Sequence, residues 1–367
     1  MNVAGVAYRS IWLDEDGWRV CIVDQTRLPY AFVTLRLSSP DEVATAIRLM
    51  QVRGAPLIGA AAAYGVALAM RLDPSDRSLV RAIRELAGTR PTAVNLRWAL
   101  ERMRTSLAPL SEGNRKRAAY ALAGVLCDED VEVNRAIGVH GLRLLRDAAG
   151  RRTGPLRILT HCNAGWLATV DWGTATAPIY MAHDAGIDVH VWVDETRPRN
   201  QGARLTAWEL AQHGVPHTVL PDAAAAHLMQ RGFVDVVLVG TDRTTAAGDV
   251  ANKIGTYPLA LAAMDNAVPF YVAAPSSSID WTLEDGLADV PIEERDAREV
   301  THVTGADEEG VERTVRVTPP GTPAANYAFD ITPARIVTAI ITERGVTPAT
   351  RAGLAALFPD RREHAPL

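Results

Sequence analysis

The chain has 367 residues, 48% of them hydrophobic and 22% charged, the composition of an ordinary globular protein long enough for two domains with cores of their own. A formal net charge of -5 leaves no basic field for nucleic acid or an anionic membrane, so a small anionic substrate would need a local cluster of Arg and Lys. Cys21, Cys127 and Cys162 lack CxxC or zinc-ligand spacing and point to a reducing, cytoplasmic setting, and no basic segment followed by an apolar one marks a signal peptide.

In chain order, residues 3–13 and 18–37 alternate, are rich in β-formers and are separated by the turn residues Asp14, Glu15, Asp16 and Gly17, so they predict a small antiparallel sheet. Ser39, Pro40 and Glu42 then supply a Ser N-cap, a Pro at the first helical position and a Glu in the capping-box place, starting a helix expected to reach about Met50. Further helices are expected over 57–70, 76–87, 92–104 and 115–145, so residues 1–149 read as a helical N-terminal domain carrying a small β-sheet. The apolar run 55–70 is Ala- and Gly-rich and shorter than a membrane span, which predicts a buried core helix.

The stretch 150–155 breaks the helical pattern and reads as a linker. Beyond it the texture changes to short β-branched runs at 156–160, 188–193, 218–220, 234–239 and 270–273, separated by helical stretches. That alternation means βαβ units and a parallel sheet, an α/β domain over 150–367. Residues 293–320 are charged and irregular and read as a surface excursion. A last helix is expected from Pro333, capped by Asp330 or Thr332.

In an open α/β sheet, ligands bind in the crevice outside the carboxyl ends of the strands. The run VDVVLVG stops at Gly240 and is followed by Thr241, Asp242 and Arg243, a small-residue loop through Gly248, and Asn252 and Lys253 ahead of a helix over 258–264. Asp242 is the first candidate for chemistry. The first strand of the domain ends in His161, Cys162 and Asn163, where a thiol can act as thiolate or proton carrier, or can be only a small buried core residue. The second ends in the polar loop 194–202, where Pro198 between Arg197 and Arg199, followed by Asn200 and Gln201, suggests fixed geometry around an anion. Three strand ends thus present Cys, Arg/Gln and Asp/Lys on one edge.

In the helical half, Arg53, Gly54 and Ala55 join two helices, and an Arg beside helix N-terminal amides suits a phosphate. Arg90, with Pro91 and Thr92 before the next helix, repeats the design. There is no GxGxxG after a strand and no GxxxxGK[ST], so dinucleotide or nucleoside triphosphate binding has no support. His213 and His217 are separated by Gly214, Val215 and Pro216, which rules out a helical metal-binding pair, and neither metal nor cofactor is expected.

The segments RGAP (53–56), RPTAVNLRWAL (90–100), HCNAG (161–165), DETRPRNQGARLTAWEL (194–210), GDVANKIGTY (248–257) and FDITPARIVTAIITERG (329–345) resemble the methylthioribose-1-phosphate isomerase family of methionine salvage, over nearly the whole chain. That family shares its fold with regulatory subunits of the eukaryotic initiation factor two B exchange factor and with ribose-1,5-bisphosphate isomerases. The resemblance implies a Rossmann-like C-terminal domain, a homodimer, and conversion of 5-methylthioribose 1-phosphate to 5-methylthioribulose 1-phosphate without a cofactor. It places the acid/base pair on Cys162 and Asp242, and phosphate and sugar contacts on Arg53, Gly54, Ala55, Arg90, Gln201, Asn252 and Lys253. In such a reaction Asp242, its pKa raised by an apolar setting, would donate a proton to the ring oxygen, and Cys162 would remove or steer the C2 hydrogen. Two alternatives stand beside it: an isomerase of 5-deoxyribose 1-phosphate or ribose 1,5-bisphosphate, and a non-catalytic regulatory protein that senses a nucleotide or sugar phosphate.

Overall fold

The computed structural model describes residues 1–90 and 93–360. Ser39 caps helix α1 (Pro40–Arg48) by accepting the Glu42 amide at 3.2 Å, and the Glu42 carboxylate reaches back to the Ser38 amide at 2.6 Å, one residue earlier than a standard capping box. The chain then forms α2 (Ala55–Leu72), α3 (Asp76–Ala87), α4 (Val94–Leu107) and α5 (Glu112–Ala149). Thr92, where the third of these was expected to start, and Pro91 before it lie outside the described residues. Helix α2 is long and apolar enough to cross a membrane, yet 83% of it is buried, because α1, α3, α4 and α5 all pack around it. The N-terminal strands Ile11–Leu13, Val20–Val23 and Thr34–Leu37 form the expected antiparallel sheet.

The 38-residue α5 joins two cores. Its first half gives Ala119, Ala123 and Leu126 to the cluster around α2, and its second half gives Ile137 and Leu145 to the cluster beneath the large sheet. That sheet has seven strands in the order Gly345–Thr347, Ala339–Thr342, Phe270–Ala273, Val236–Val239, Leu156–Thr160, Val189–Asp194 and His217–Leu220. All neighbours are parallel except the edge strand Gly345–Thr347. From Leu156–Thr160 the chain winds outward through Val189–Asp194 to His217–Leu220. It then crosses back to place Val236–Val239 on the other side of the starting strand, which makes the gap between these two central strands a topological switch point.

Three expectations are corrected. The segment expected to be a helix from Pro333 is instead the strand Phe329–Thr332, a short turn, and the strand Ala339–Thr342. Its Val-Thr-Ala-Ile-Ile-Thr texture is β-branched, and parallel pairing with Phe270–Ala273 overrides the Thr-Pro helix-start signal. Asp330 does cap a helix, but a different one: it accepts the Gly255 and Tyr257 amides at 2.7 and 3.1 Å at the start of Thr256–Asp265. The presumed loop through Gly248 contains the strand Arg243–Thr245, paired with Val250–Lys253 in a second, four-stranded sheet. The stretch 293–320 is ordered, folding as the single-turn helix Arg298–Thr301 and the antiparallel ribbon His302–Ala306 and Glu312–Arg316. Its second strand is exposed throughout, so it carries no apolar alternation for a sequence reading to find.

Candidate active site

Cys162 follows Leu156–Thr160 and Asp242 follows Val236–Val239, so the two stand on either side of the switch point. Both line one cavity. From the helical half come Arg53, Gly54 and Ala55 at the start of α2 and Arg90 ahead of α4, and from the sheet half Gln201 and Lys253. Eight of the nine residues singled out in the sequence therefore meet in one place. The ninth is Asn252. Side chains alternate along the strand Val250–Lys253, so Ala251 and Lys253 line the cavity while Asn252 between them does not, and its Nδ2 donates to Thr256 Oγ1 at 3.0 Å. Arg197 and Arg199 are also taken up elsewhere, donating to the Val300 carbonyl at 2.9 Å and to Glu299 at 2.6 Å.

Cys162 has φ +63°, a left-handed conformation that is strained for a residue with a Cβ. It is held there by its neighbours: its amide donates to Thr196 Oγ1 at 2.8 Å and its carbonyl accepts from Thr206 Oγ1 at 2.7 Å. Burial pushes the thiol pKa up, against the pull of the Arg53 and Lys253 charges, which leaves a neutral thiol at neutral pH. Burial also raises the Asp242 carboxyl, opposed by Lys253, Arg53 and Arg90. Asp242 is partly buried and lines the cavity, and its backbone amide donates to the Ala251 carbonyl at 3.0 Å. Lys253 is lowered by burial, countered by Cys162 and Asp242, and its ammonium lies 4.9 Å over the Phe329 ring.

One wall of the cavity is built on α2. Its N-cap is Gly54, which provides no side-chain cap, so the first-turn amides remain available to an anion. Gly54 has φ +94°, and a Cβ there would lie 2.4 Å from the Ala168 carbonyl oxygen, so only glycine fits. Arg53 donates to Asn163 Oδ1 at 2.5 Å and to the Asn163 carbonyl at 2.8 Å. Arg90 donates to Glu293 at 2.9 Å, Glu293 accepts from Arg295 at 2.8 Å, and Glu299 accepts from both Arg295 and Arg199. Burial works to raise the Glu299 carboxyl, but Arg295 and Arg199 hold it down at about 2, so this chain of ion pairs is charged throughout the physiological range. The rest of the cavity lining is Arg243, paired with Asp280 at 3.6 Å, and the apolar Met50, Ile58, Ala93, Val290, Pro291 and Phe329.

Behind Cys162, His161 donates from Nδ1 to Asp194 at 2.9 Å and from Nε2 to the Ile254 carbonyl at 2.9 Å. Two acceptors on one ring call for an imidazolium. Burial works against that charge, but Asp194 outweighs it and raises the His161 pKa. His161, Asp194 and Asp222 have ligand atoms within 4.8 Å of one another. Asp222 is already committed, accepting the Thr196 and Arg197 amides at 2.6 and 2.8 Å, and both His161 nitrogens are engaged, so the trio reads as a support for the 194–202 loop.

The profile of the initiation factor 2 subunit family matches residues 51–349. The chain belongs to this family. It is also 64% identical to a methylthioribose-1-phosphate isomerase of Rhodospirillum rubrum, over 98% of this chain and 94% of that protein. Among solved structures it is similar to 5-methylthioribose 1-phosphate isomerase from Pyrococcus horikoshii OT3, with 41% identity and a TM-score of 0.83 over 96% of each chain. It is similar as well to the translation initiation factor eIF-2B subunit delta from A. fulgidus, with 39% identity and a TM-score of 0.80 over 96% of this chain and 100% of that one.

In this initiation factor 2 subunit family member the sequence reading missed Asn163, Glu209, Glu293 and the apolar lining. Glu209 carried one signal, an acid beside Leu210 and one helical turn from Leu205 on a face otherwise buried. Glu293 carried none, because its partner Arg90 lies 203 residues away in the chain.

Proposed function

We propose that the protein is an aldose-ketose isomerase that converts 5-methylthioribose 1-phosphate to 5-methylthioribulose 1-phosphate. The observation that carries this reading is the placement of Cys162 and Asp242 on opposite sides of the switch point, facing one cavity with Arg53, Arg90 and Lys253. The substrate's anomeric oxygen is esterified, so the ring does not open spontaneously as a free aldose does, and the enzyme must protonate the ring oxygen. Asp242, kept toward its neutral form by burial, gives that proton as the bond from C1 to the ring oxygen breaks. Because the Cys162 thiol is neutral, the base that takes the proton from C2 is this carboxylate and not, as expected from the sequence, Cys162, and an enol phosphate is left. The neutral Cys162 thiol then protonates C1, and the C2 hydroxyl proton passes to the thiolate as the carbonyl forms. Both groups end as they began. The cations and the α2 amides hold the phosphate through every step.

The largely apolar lining supports methylthio as the substituent on C5: Met50, Ile58, Val290, Pro291 and Phe329 offer nothing to a second phosphate, and the further cation of the lining, Arg243, is paired with Asp280 at 3.6 Å. The test is turnover of methylthioribose 1-phosphate against ribose 1,5-bisphosphate and 5-deoxyribose 1-phosphate. A kcat/KM for the first at least about tenfold above the bisphosphate supports the reading, and a preference for the bisphosphate overturns it. A homodimeric state and a cytoplasmic setting go with this reading, the second supported by three unpaired thiols. Light scattering of the purified protein checks the first.

A further inference from the structure

Glu209 is fully buried, and among the described residues its side-chain hydrogen bonds all go to the loop that carries Cys162 or to the helix Thr176–Asp184. Oε1 accepts from Asn163 Nδ2 at 3.1 Å and from the Leu167 amide at 2.8 Å. Oε2 accepts from the Trp166 amide at 3.1 Å and from the Tyr180 hydroxyl at 3.0 Å. The fit is so close that a Cβ on Gly165 would lie 1.6 Å from Oε2. The three amides are obligate donors and the Tyr180 hydroxyl can donate or accept, so the carboxylate accepts all four bonds.

The consequence for the cavity runs through Asn163. An asparagine amide has a donor end and an acceptor end, and its neighbours decide which way it faces. Here Nδ2 is claimed by Glu209 and by Thr206 Oγ1 at 3.2 Å, which leaves Oδ1 pointing at Arg53. Reversed, the amide would set N–H against the N–H of the guanidinium. Arg53 is thereby aimed from beneath by a carboxylate that never touches the cavity.

We propose that Glu209 is a positioning residue for phosphate binding, fixing the Asn163 amide so that the Arg53 guanidinium is held on the cavity wall. This rests on the reading of the cavity as a sugar-phosphate site, and it adds a residue that acts on substrate only through another. Burial raises the Glu209 carboxyl to about 7, countered by its hydrogen bonds and by Arg53, so the ionised form is unfavourable for stability just above neutrality. A group kept there is better explained by geometry than by stability.

The test is a double-mutant cycle at about pH 8, where the carboxylate predominates, on Glu209→Gln, Arg53→Ala and the pair, reading the Kd for inorganic phosphate by calorimetry and, with methylthioribose 1-phosphate, KM against kcat. Glu209→Gln should weaken phosphate about tenfold and raise KM by a similar factor, with kcat changed by less than about threefold. In the Arg53→Ala background it should cost less than about twofold more, because its effect is already lost. Tyr180→Phe removes a Glu209 partner that does not lead to Arg53 and should leave phosphate affinity unchanged. If Glu209→Gln does not fold, Asn163→Ala carries the same cycle. Unchanged phosphate affinity in the single variant, or losses that multiply in the pair, overturns the proposal. A wild-type protein that binds phosphate with the predicted couplings but turns over no sugar phosphate tells against the isomerase reading and leaves this one standing. A wild type that binds no phosphate overturns both.

Discussion

Arg90 Nη2 donates to Glu293 Oε2 at 2.9 Å, tying the loop ahead of α4 to the segment that brings Val290 and Pro291 over the cavity. Arg90→Ala removes both a cation of the cavity wall and this tie. It should raise KM by about tenfold to a hundredfold with kcat changed only a few fold, the mark of lost uniform binding. Glu293→Gln keeps an acceptor for the guanidinium and should change KM by less than about threefold. Steady-state kinetics of the two variants side by side decide it, and equal KM effects would show that charge rather than geometry sets the role of Glu293.

Removal of either reacting group should act on turnover. Cys162→Ser and Asp242→Asn keep size and remove the proton chemistry, so kcat should fall by about a hundredfold to ten-thousandfold while inorganic phosphate binds with nearly wild-type affinity. Measurable wild-type turnover in either variant would remove that residue from the reaction.

Much of this site was legible in the sequence because its parts lie at strand ends and helix starts, where local signals are strong. The run VVLV marks a buried strand, and Asp242, just past its end, must sit at the sheet's carboxyl edge. Arg53, Gly54 and Pro56 mark a helix start with amides to spare. The illegible parts depend on contacts between distant segments. Ala339–Thr342 became a strand because Phe270–Ala273 offered it a ladder, and nothing near Pro333 announces that partner. Asn252 is a neighbour of Lys253, but which of two adjacent residues faces the cavity depends on the strand between Val250 and Lys253, which the apparent loop concealed. Glu209 stands among apolar residues of a short helix, and its role appears only once the 163–167 loop is laid over it.

Gly54 gives a prediction about backbone. Alanine there would need a left-handed φ of +94° and would place its Cβ 2.4 Å from the Ala168 oxygen, so the start of α2 must shift. Gly54→Ala should cost about 1–3 kcal/mol of stability and weaken phosphate binding at least about tenfold, measured by urea denaturation and calorimetry. Unaltered phosphate affinity would show that the α2 amides do not hold the anion.

The titration of Glu209 sets a stability dependence. In the folded protein its pKa is raised to about 7, so between the ordinary glutamate value and that point the folded state keeps a proton that the unfolded chain has released. Its contribution is complete at low pH and is lost as pH rises through about 7. Relative to Glu209→Gln, the wild type should therefore lose up to about 3 kcal/mol between about pH 4.5 and pH 8. Urea denaturation of both proteins across this range measures it, and a difference that does not change with pH would mean that the carboxyl titrates as an exposed one does.

The most direct test of the account is proton NMR of the purified protein with 5-methylthioribose 1-phosphate in deuterated water. The account predicts conversion to the ketose with one solvent deuterium at C1, delivered by an exchanged Cys162 thiol. An aldose that binds and stays unchanged would contradict the assigned activity, and a ketose with only protium at C1 would contradict the proton route through Asp242 and Cys162.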